Sequence, residues 1–132
     1  MRLWHYTLID NGCLPRSQLL ALWRELNSIF KKQDNHILIN YIYEYPKSVL
    51  KVYADKVIAE MKRRGYKIKS FDNYNQYFDG VVCWGGERFE EHNNEYLTIC
   101  YWNLREKYIC KQKDFDSEIF CKLYECYMNV WR

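Results

Sequence analysis

The chain has 132 residues, enough for one domain with little room for a second. Hydrophobic residues make up 48% of it, which excludes an intrinsically disordered chain. The net charge of +3, from 20 basic and 17 acidic residues, is too small to identify a nucleic-acid-binding protein. The charge is unevenly distributed, however: basic residues predominate between 26 and 69 and acidic residues between 70 and 95.

The N-terminal half begins with a short, mixed segment over residues 2–9. A turn is indicated by Asp10-Asn11-Gly12, and a helix is predicted from about 15 to 32, because apolar residues recur there at steps of three and four. Residues 36–45 alternate as a strand would. A lone strand would have no partner in a helical chain, so we predict an extended or short helical segment there.

The rest of the chain reads as three helices around one long loop. Pro46 opens the first of these helices, and Gly65 is placed to end it. Residues 66–90 are interpreted as a long aromatic-rich loop, and helices are predicted at about 91–107 and 115–131. The fold class is therefore predicted to be all-α: a compact, single-domain helical bundle over residues 1–132.

The cysteines and the chain start bear on the compartment. No signal-peptide pattern is visible at Met1–His5, and no apolar run approaches the roughly 20 residues that span a bilayer. The cysteines lack zinc-ligand spacing, so we interpret them as reduced thiols. They stand at positions 13, 83, 100, 110, 121 and 126. We therefore expect a cytoplasmic protein with no metal site and no membrane partner. We also expect it to be a monomer.

Two features of the N-terminal third are candidates for chemistry. Arg24 and Glu25 are neighbours on the polar side of the first long helix, a pattern that is also typical of an ordinary solvated helix face. The second feature is the α-amine of Met1, which we expect to be retained because Arg2 is large. An α-amine has a pKa of about 7.7–8.0 against about 10.4 for lysine, and nearby cations such as Arg2 and Arg24 would lower it further. More of it is therefore neutral and nucleophilic.

A basic series runs across the first two long helices. Its members are Lys31, Lys32, Lys47, Lys51, Lys62, Arg63, Arg64, Lys67 and Lys69. It fits either a solubilising surface or contacts to DNA phosphates. His36 is one of three histidines and, on its own, fits a structural hydrogen bond as well as a site role. Aromatic side chains in the long loop, among them Tyr74, Tyr77 and Trp84, fit either packing in a core or stacking on nucleobases.

Several segments in order resemble one family, the small pyrimidine-dimer DNA glycosylase/AP lyases of the dimer-specific endonuclease V type. The resemblance covers about two thirds of the chain and is strongest over residues 1–69. It is carried by the start Met1-Arg2-Leu3, by Thr7-Leu8-Ile9, by Leu19–Leu26 with Ile29-Phe30, by the spacing from Glu25 to His36, and by Ile58–Ile68. The segments Glu91–Leu97 and Asn103–Lys107 resemble a bacterial branch of that family.

The resemblance implies a mechanism. In this family the N-terminal amine, here that of Met1, attacks the sugar C1′, displaces the base and leaves a Schiff base, and β-elimination then nicks the strand. A glutamate matching Glu25 assists both steps. Residues matching Arg2 and Arg24 hold phosphates around a kinked duplex from which a nucleotide is flipped out. The DNA-binding set is therefore expected to be Arg2, Arg24, Lys31, Lys32 and His36, with damaged double-stranded DNA as the partner and no cofactor.

The sequence departs from the family pattern in places, which keeps alternatives open. Ser28 stands where the family has a further arginine one turn after the glutamate, and the C-terminal half departs most. One alternative is an AP lyase or glycosylase for a different lesion. The other is a non-catalytic helical module that binds nucleic acid, in which Glu25 is a surface carboxylate and the amine has no role.

Overall fold

The computed structural model describes residues 2–131, and that part of the chain contains helices and no strand. The predicted all-α fold class is confirmed. The α-helices are α1 (Tyr6–Asp10), α2 (Arg16–Lys31), α3 (Lys47–Arg63), α4 (Asp72–Tyr77), α5 (Asn94–Ile109) and α6 (Ser117–Trp131), and a 3-10 helix covers Asn40–Glu44. Among these residues, no helix combines the length and the apolarity that a bilayer crossing demands.

The chain forms two compact units, and the organisation as a single domain stays a prediction. The first unit contains residues 2–3 together with Leu20–Phe89, and therefore most of α2, the 3-10 helix, α3 and α4. Its core is built from the apolar sides of two amphipathic helices, because residues three and four apart face the same way. The fully buried members include Leu22, Leu26 and Ile29 of α2 and Tyr53 and Val57 of α3.

Helix α3 ends as the sequence predicts. Gly65 adopts φ +81°, in the left-handed region that favours glycine, immediately after the last helical turn. The N–H of Tyr66 donates to the carbonyl of Met61 at 2.9 Å, and the N–H of Gly65 donates to the carbonyl of Lys62 at 3.0 Å. This pair of bonds is the Schellman motif, which satisfies the last carbonyls of the helix.

The long loop predicted over 66–90 is wrong in its middle, where α4 forms. Phe71, Tyr74 and Phe78 recur at steps of three and four and pack against α2. The ring centroid of Phe30 lies 6.1 Å from Tyr74 and 5.1 Å from Phe78, and that of Trp23 lies 6.3 Å from Phe71. Helix α4 has only six residues, too few for hydrophobic periodicity to reveal it. Packing of the aromatic rings onto α2 stabilises it instead.

The second unit contains Trp4–Leu19 and residues 90–131. Its helices α5 and α6 pack through two stacked pairs of rings, Tyr101 on Tyr127 at 4.2 Å and Tyr108 on Phe120 at 4.3 Å between centroids. The unit also contains α1, where the short, mixed segment was expected. The Nδ1 atom of His5 caps α1 by accepting the N–H of Thr7 at 3.0 Å.

Candidate active site and nucleic-acid interface

The beginning of the chain is tied to the first unit. Leu3 is fully buried, and residues 2–3 group with Leu20–Phe89, the segment that contains the middle and end of α2. Arg2 is half-buried in the same unit. Met1, predicted to carry the reactive amine, lies outside the described residues. The structure thus brings the two residues that follow it, Arg2 and Leu3, into the unit that contains Glu25.

Glu25 combines partial burial with an unsatisfied oxygen. It lies in the second half of α2, next to the fully buried Leu26. Its Oε2 atom is shielded from solvent and accepts no hydrogen bond from any described residue. Leaving a buried polar atom without a partner costs about 1–3 kcal/mol, so such atoms are uncommon and call for a physical explanation. One of the two carboxylate oxygens of Glu25 is therefore shielded from solvent, while the residue as a whole is partly buried.

Arg24 lies one residue earlier and is exposed. It lines a cavity of about 320 Å³ together with two lysines from the segment after α3, Lys67 and Lys69. Trp23 and Met61 contribute apolar surface to the same cavity. We call it the Arg24 cavity. Three cations around one apolar depression form a surface that suits an anionic backbone.

Lys31 and Lys32 line a second cavity, of about 420 Å³, which we call the Lys31 cavity. Lys47, from the first turn of α3, joins them there and is held in place by Tyr77. Its Nζ donates to the Tyr77 carbonyl at 3.2 Å and lies 4.2 Å from the centroid of the Tyr77 ring. The structure therefore brings Lys31 and Lys32 together with a third cation and an aromatic ring.

The two cavities are related through α2. Arg24 and Lys31 are seven residues apart, so they lie on the same side of the helix, two turns or about 10 Å from each other. Seven residues likewise separate Glu25 from Lys32, and the Lys32 N–H continues the helical pattern by donating to Ser28 at 3.1 Å. Cations therefore lie on the same side of the helix as Arg24 and Glu25, two turns further on. This seven-residue spacing can be seen in the sequence alone.

His36 has a local structural role. Its N–H donates to Oδ1 of Asp34 at 2.9 Å, and its Nδ1 accepts the N–H of Leu38 at 3.2 Å. These bonds shape the turn after α2, and the imidazole itself is exposed. The bond to Nδ1 leaves the proton of a neutral ring on Nε2. Contact between His36 and DNA stays a prediction.

Two arginines of the predicted basic series are held at the end of α3. Arg63 binds both oxygens of Glu60, through Nε at 2.6 Å and a terminal nitrogen at 2.7 Å, and Nε of Arg64 donates to Oε2 at 2.7 Å. Burial alone would raise the pKa of Glu60, but the hydrogen bonds from Arg63 and Arg64 outweigh it and lower that pKa. This part of the basic series is therefore structural.

The three aromatic candidates of the 66–90 segment have different environments in the structure. Tyr74 packs against Phe30 and donates its hydroxyl proton to Asp55. Tyr77 lies against Phe30, with ring centroids 5.4 Å apart. Trp84, in contrast, is 81% exposed. The first two rings belong to the packing of the unit, and only Trp84 is presented to solvent, a distinction that needs tertiary structure.

Within residues 2–131, no cluster of three or more histidine, cysteine, aspartate or glutamate side chains has a metal-binding arrangement. The six cysteines are free thiols.

Comparison with known proteins adds the family. A family model described as pyrimidine dimer DNA glycosylase matches residues 1–74, more than half of the 132 residues. The matched segment includes Glu25, Arg24 and all the residues expected to bind DNA. No curated protein and no solved structure matches the chain. The chain belongs to the pyrimidine-dimer DNA glycosylase family, a family of DNA-repair enzymes that act on dimers in DNA.

Proposed function

We propose that this protein excises pyrimidine dimers from duplex DNA with its N-terminal amine and then nicks the strand as an AP lyase. The Met1 nitrogen attacks C1′ of one nucleotide of the dimer, and the C1′–N1 bond breaks with its electron pair leaving on the base. The amine loses its proton, and the sugar ring opens to give an imine. Removal of a C2′ proton then expels the 3′ phosphate by β-elimination. Because the two bases are cross-linked, the displaced base stays attached to its neighbour.

The observation that carries this proposal is the buried Oε2 atom of Glu25, which has no hydrogen-bond partner among the described residues. A carboxylate oxygen held in a protected position can stabilise positive charge that develops on a sugar or an amine, and it can also take and return protons. Because Oε2 has no bond to another described residue that would have to break first, the atom is ready for that role. An exposed carboxylate would be solvated and would act more weakly.

The beginning of the chain supports the choice of nucleophile. Burial of Leu3 anchors the second residue after Met1 in the unit that contains Glu25. The family match covers residues 1–74 and so includes Met1. An α-amine is also the amine with the lowest ordinary pKa in a protein, which makes it more reactive at neutral pH than a lysine.

Substrate binding is assigned to the cations around α2. Arg24 with Lys67 and Lys69, and Lys31 with Lys32 and Lys47, give two groups of positive charge about two helical turns apart. Such groups hold the phosphates of a duplex and set its register. We assign Arg2, half-buried in the same unit, and His36, exposed after α2, to the same interface.

The test is single-turnover cleavage of a duplex oligonucleotide that carries one cyclobutane pyrimidine dimer. We expect Glu25→Gln to lower the rate at least about 100-fold, as is usual for loss of a general acid–base group, while Kd changes only a few-fold. Glu118→Gln, which changes an exposed glutamate in the first turn of α6, is the matched control and retains the wild-type rate.

Three outcomes would count against the proposal. Wild-type cleavage by Glu25→Gln would remove the carboxylate from the mechanism. Cleavage of abasic duplex without cleavage of the dimer would assign the lyase to a different lesion. Binding to the duplex with no cleavage of either substrate would identify a non-catalytic module.

A further inference from the structure

Trp84 lies in one of the most apolar exposed places of the first unit. Trp84 is 81% exposed, and Val82, two residues earlier in the chain, is 86% exposed. An indole offers one of the largest apolar surfaces of any side chain, and its burial in a complex is correspondingly favourable. Large apolar side chains grouped at the surface mark places where another molecule binds.

The turn that presents Trp84 is held rigidly. Its anchor is Glu87, whose side chain is only 8% exposed and whose carboxylate accepts the N–H of Trp84 at 3.0 Å and the N–H of Gly85 at 2.6 Å. Gly85 adopts φ +97°, a conformation that favours glycine. Charged hydrogen bonds to the main chain are strong, so the exposure of Trp84 is fixed by the turn and does not result from a loose loop.

Gly86 fixes the indole itself. A Cβ atom at Gly86 would lie 1.8 Å from the six-membered ring of Trp84, so the ring rests directly on the glycine main chain. Any side chain at this position would push the ring away. The φ angle of Gly86 is not in the left-handed region, so its backbone conformation does not require glycine. Glycine is needed at this position because the Trp84 ring occupies the space of a Cβ atom.

Beside the ring is a cavity of about 440 Å³, lined on the α3 side by Val52, Asp55, Lys56 and Ala59. The Asp55 carboxylate is paired with Lys51 at 3.2 Å and accepts the hydroxyl of Tyr74. Lys56 contributes a positive charge to the lining on this side of the cavity. A flat aromatic ring beside a positive charge suits a nucleobase attached to a phosphate.

We propose that Trp84 is a nucleobase-stacking residue, which contacts a base of the DNA substrate while Lys56 lies near the adjoining phosphate. Stacking uses the π-face that every base has, so this contact is independent of base identity. It depends on the distortion that a lesion introduces, because a base within an undamaged stack has no free face. The inference rests on the proposed function, since it takes damaged DNA as the ligand.

The experiment measures binding to a labelled duplex with a central tetrahydrofuran abasic analogue, and to the same duplex without it, in the Glu25→Gln background. We expect Trp84→Ala to weaken binding to the abasic duplex about 5- to 100-fold and Trp84→Phe to weaken it no more than about 3-fold. Trp102→Ala removes an indole that is 53% exposed on α5 and serves as the matched control, with binding unchanged. An unchanged Kd for Trp84→Ala would overturn the proposal.

A second variant moves the indole ring of Trp84 instead of removing it. Gly86→Ala displaces the indole without deleting it, so binding should weaken even though the variant unfolds thermally as the parent does. DNA should quench a fluorescence component that is missing in Trp84→Phe, and equal quenching in both proteins would contradict stacking. If the wild type cleaves the dimer and Trp84→Ala binds DNA as its parent does, the stacking is refuted and the proposed function stands. If Trp84→Ala binds DNA more weakly but the wild type does not cleave the dimer, the proposed function is refuted and the stacking stands.

Discussion

The carboxylate of Asp114 caps the beginning of α2 through Ser17, which lies 97 residues earlier in the chain. Oδ2 accepts the main-chain N–H of Ser17 at 2.6 Å, and Oδ1 accepts its hydroxyl at 3.0 Å. Gln112 donates a further bond to Oδ1 at 2.8 Å. The helix that later carries Glu25 therefore begins on a residue from the C-terminal half, beyond the segment that the family model matches.

Removal of this cap should destabilise the protein. We expect Asp114→Ala to lower the free energy of unfolding by roughly 1–2 kcal/mol, because a first-turn N–H of α2 and the Ser17 hydroxyl lose their acceptor. Lys113→Ala, a change at the exposed neighbour, is the control and has little effect in urea denaturation. Equal stability of the two variants would show that the cap contributes nothing.

The same contact should depend on pH. Burial alone would raise the pKa of Asp114, but the bonds from Ser17 and Gln112 outweigh it, so the folded pKa lies below the ordinary 3.8. A lowered pKa means that the contribution to stability is present above 3.8 and is lost as the pH falls through the folded value. The stability difference between wild type and Asp114→Ala should therefore shrink below about pH 4; a constant difference would contradict this origin.

Glu60 should stabilise the end of α3 in a similar way. We expect Glu60→Gln to lower the free energy of unfolding by roughly 1–3 kcal/mol, because Arg63 and Arg64 lose a charged acceptor. The folded pKa of Glu60 lies below 4.5, so the stabilisation is present above 4.5 and disappears as the pH falls further. Glu44→Gln at an exposed position is the control, and an equally stable Glu60→Gln would argue against a structural role.

The cations around α2 should be visible in the salt dependence of DNA binding. We expect Arg24→Ala, Lys31→Ala and Lys32→Ala each to reduce the slope of log K against log salt by about 1, since each phosphate contact releases about one counterion. Lys113→Ala, in the second unit, should leave the slope unchanged. If none of the three variants changed the slope, the DNA would bind at another surface.

The two long helices of the first unit could be predicted because their signals are local. Apolar spacing defines α2 and α3, and Gly65 marks an end that needs a left-handed residue. Helix α4 could not be predicted, since Tyr74 and Tyr77 within its six residues pack against the ring of Phe30 from another part of the chain. The same holds for the Asp114 cap on Ser17.

The candidate site, too, could be predicted only in part from the sequence. Sequence places Arg24 and Glu25 side by side and brings Lys31 onto the side of Arg24, because helical geometry is fixed. It does not reveal that Oε2 of Glu25 is buried without a hydrogen bond, since burial depends on what packs over α2. Nor does it separate Trp84, which is exposed, from Tyr74 and Tyr77, which are partly buried against Phe30.

The most direct test of the central claim is borohydride trapping on an abasic duplex, with the adduct located by peptide mass spectrometry. Reduction of the imine converts it to a stable C–N bond between protein and sugar. We predict a covalent complex in which the added mass lies on the α-nitrogen of Met1. An adduct on a lysine such as Lys31 or Lys32, or no adduct from a protein that binds the duplex, would contradict the N-terminal mechanism.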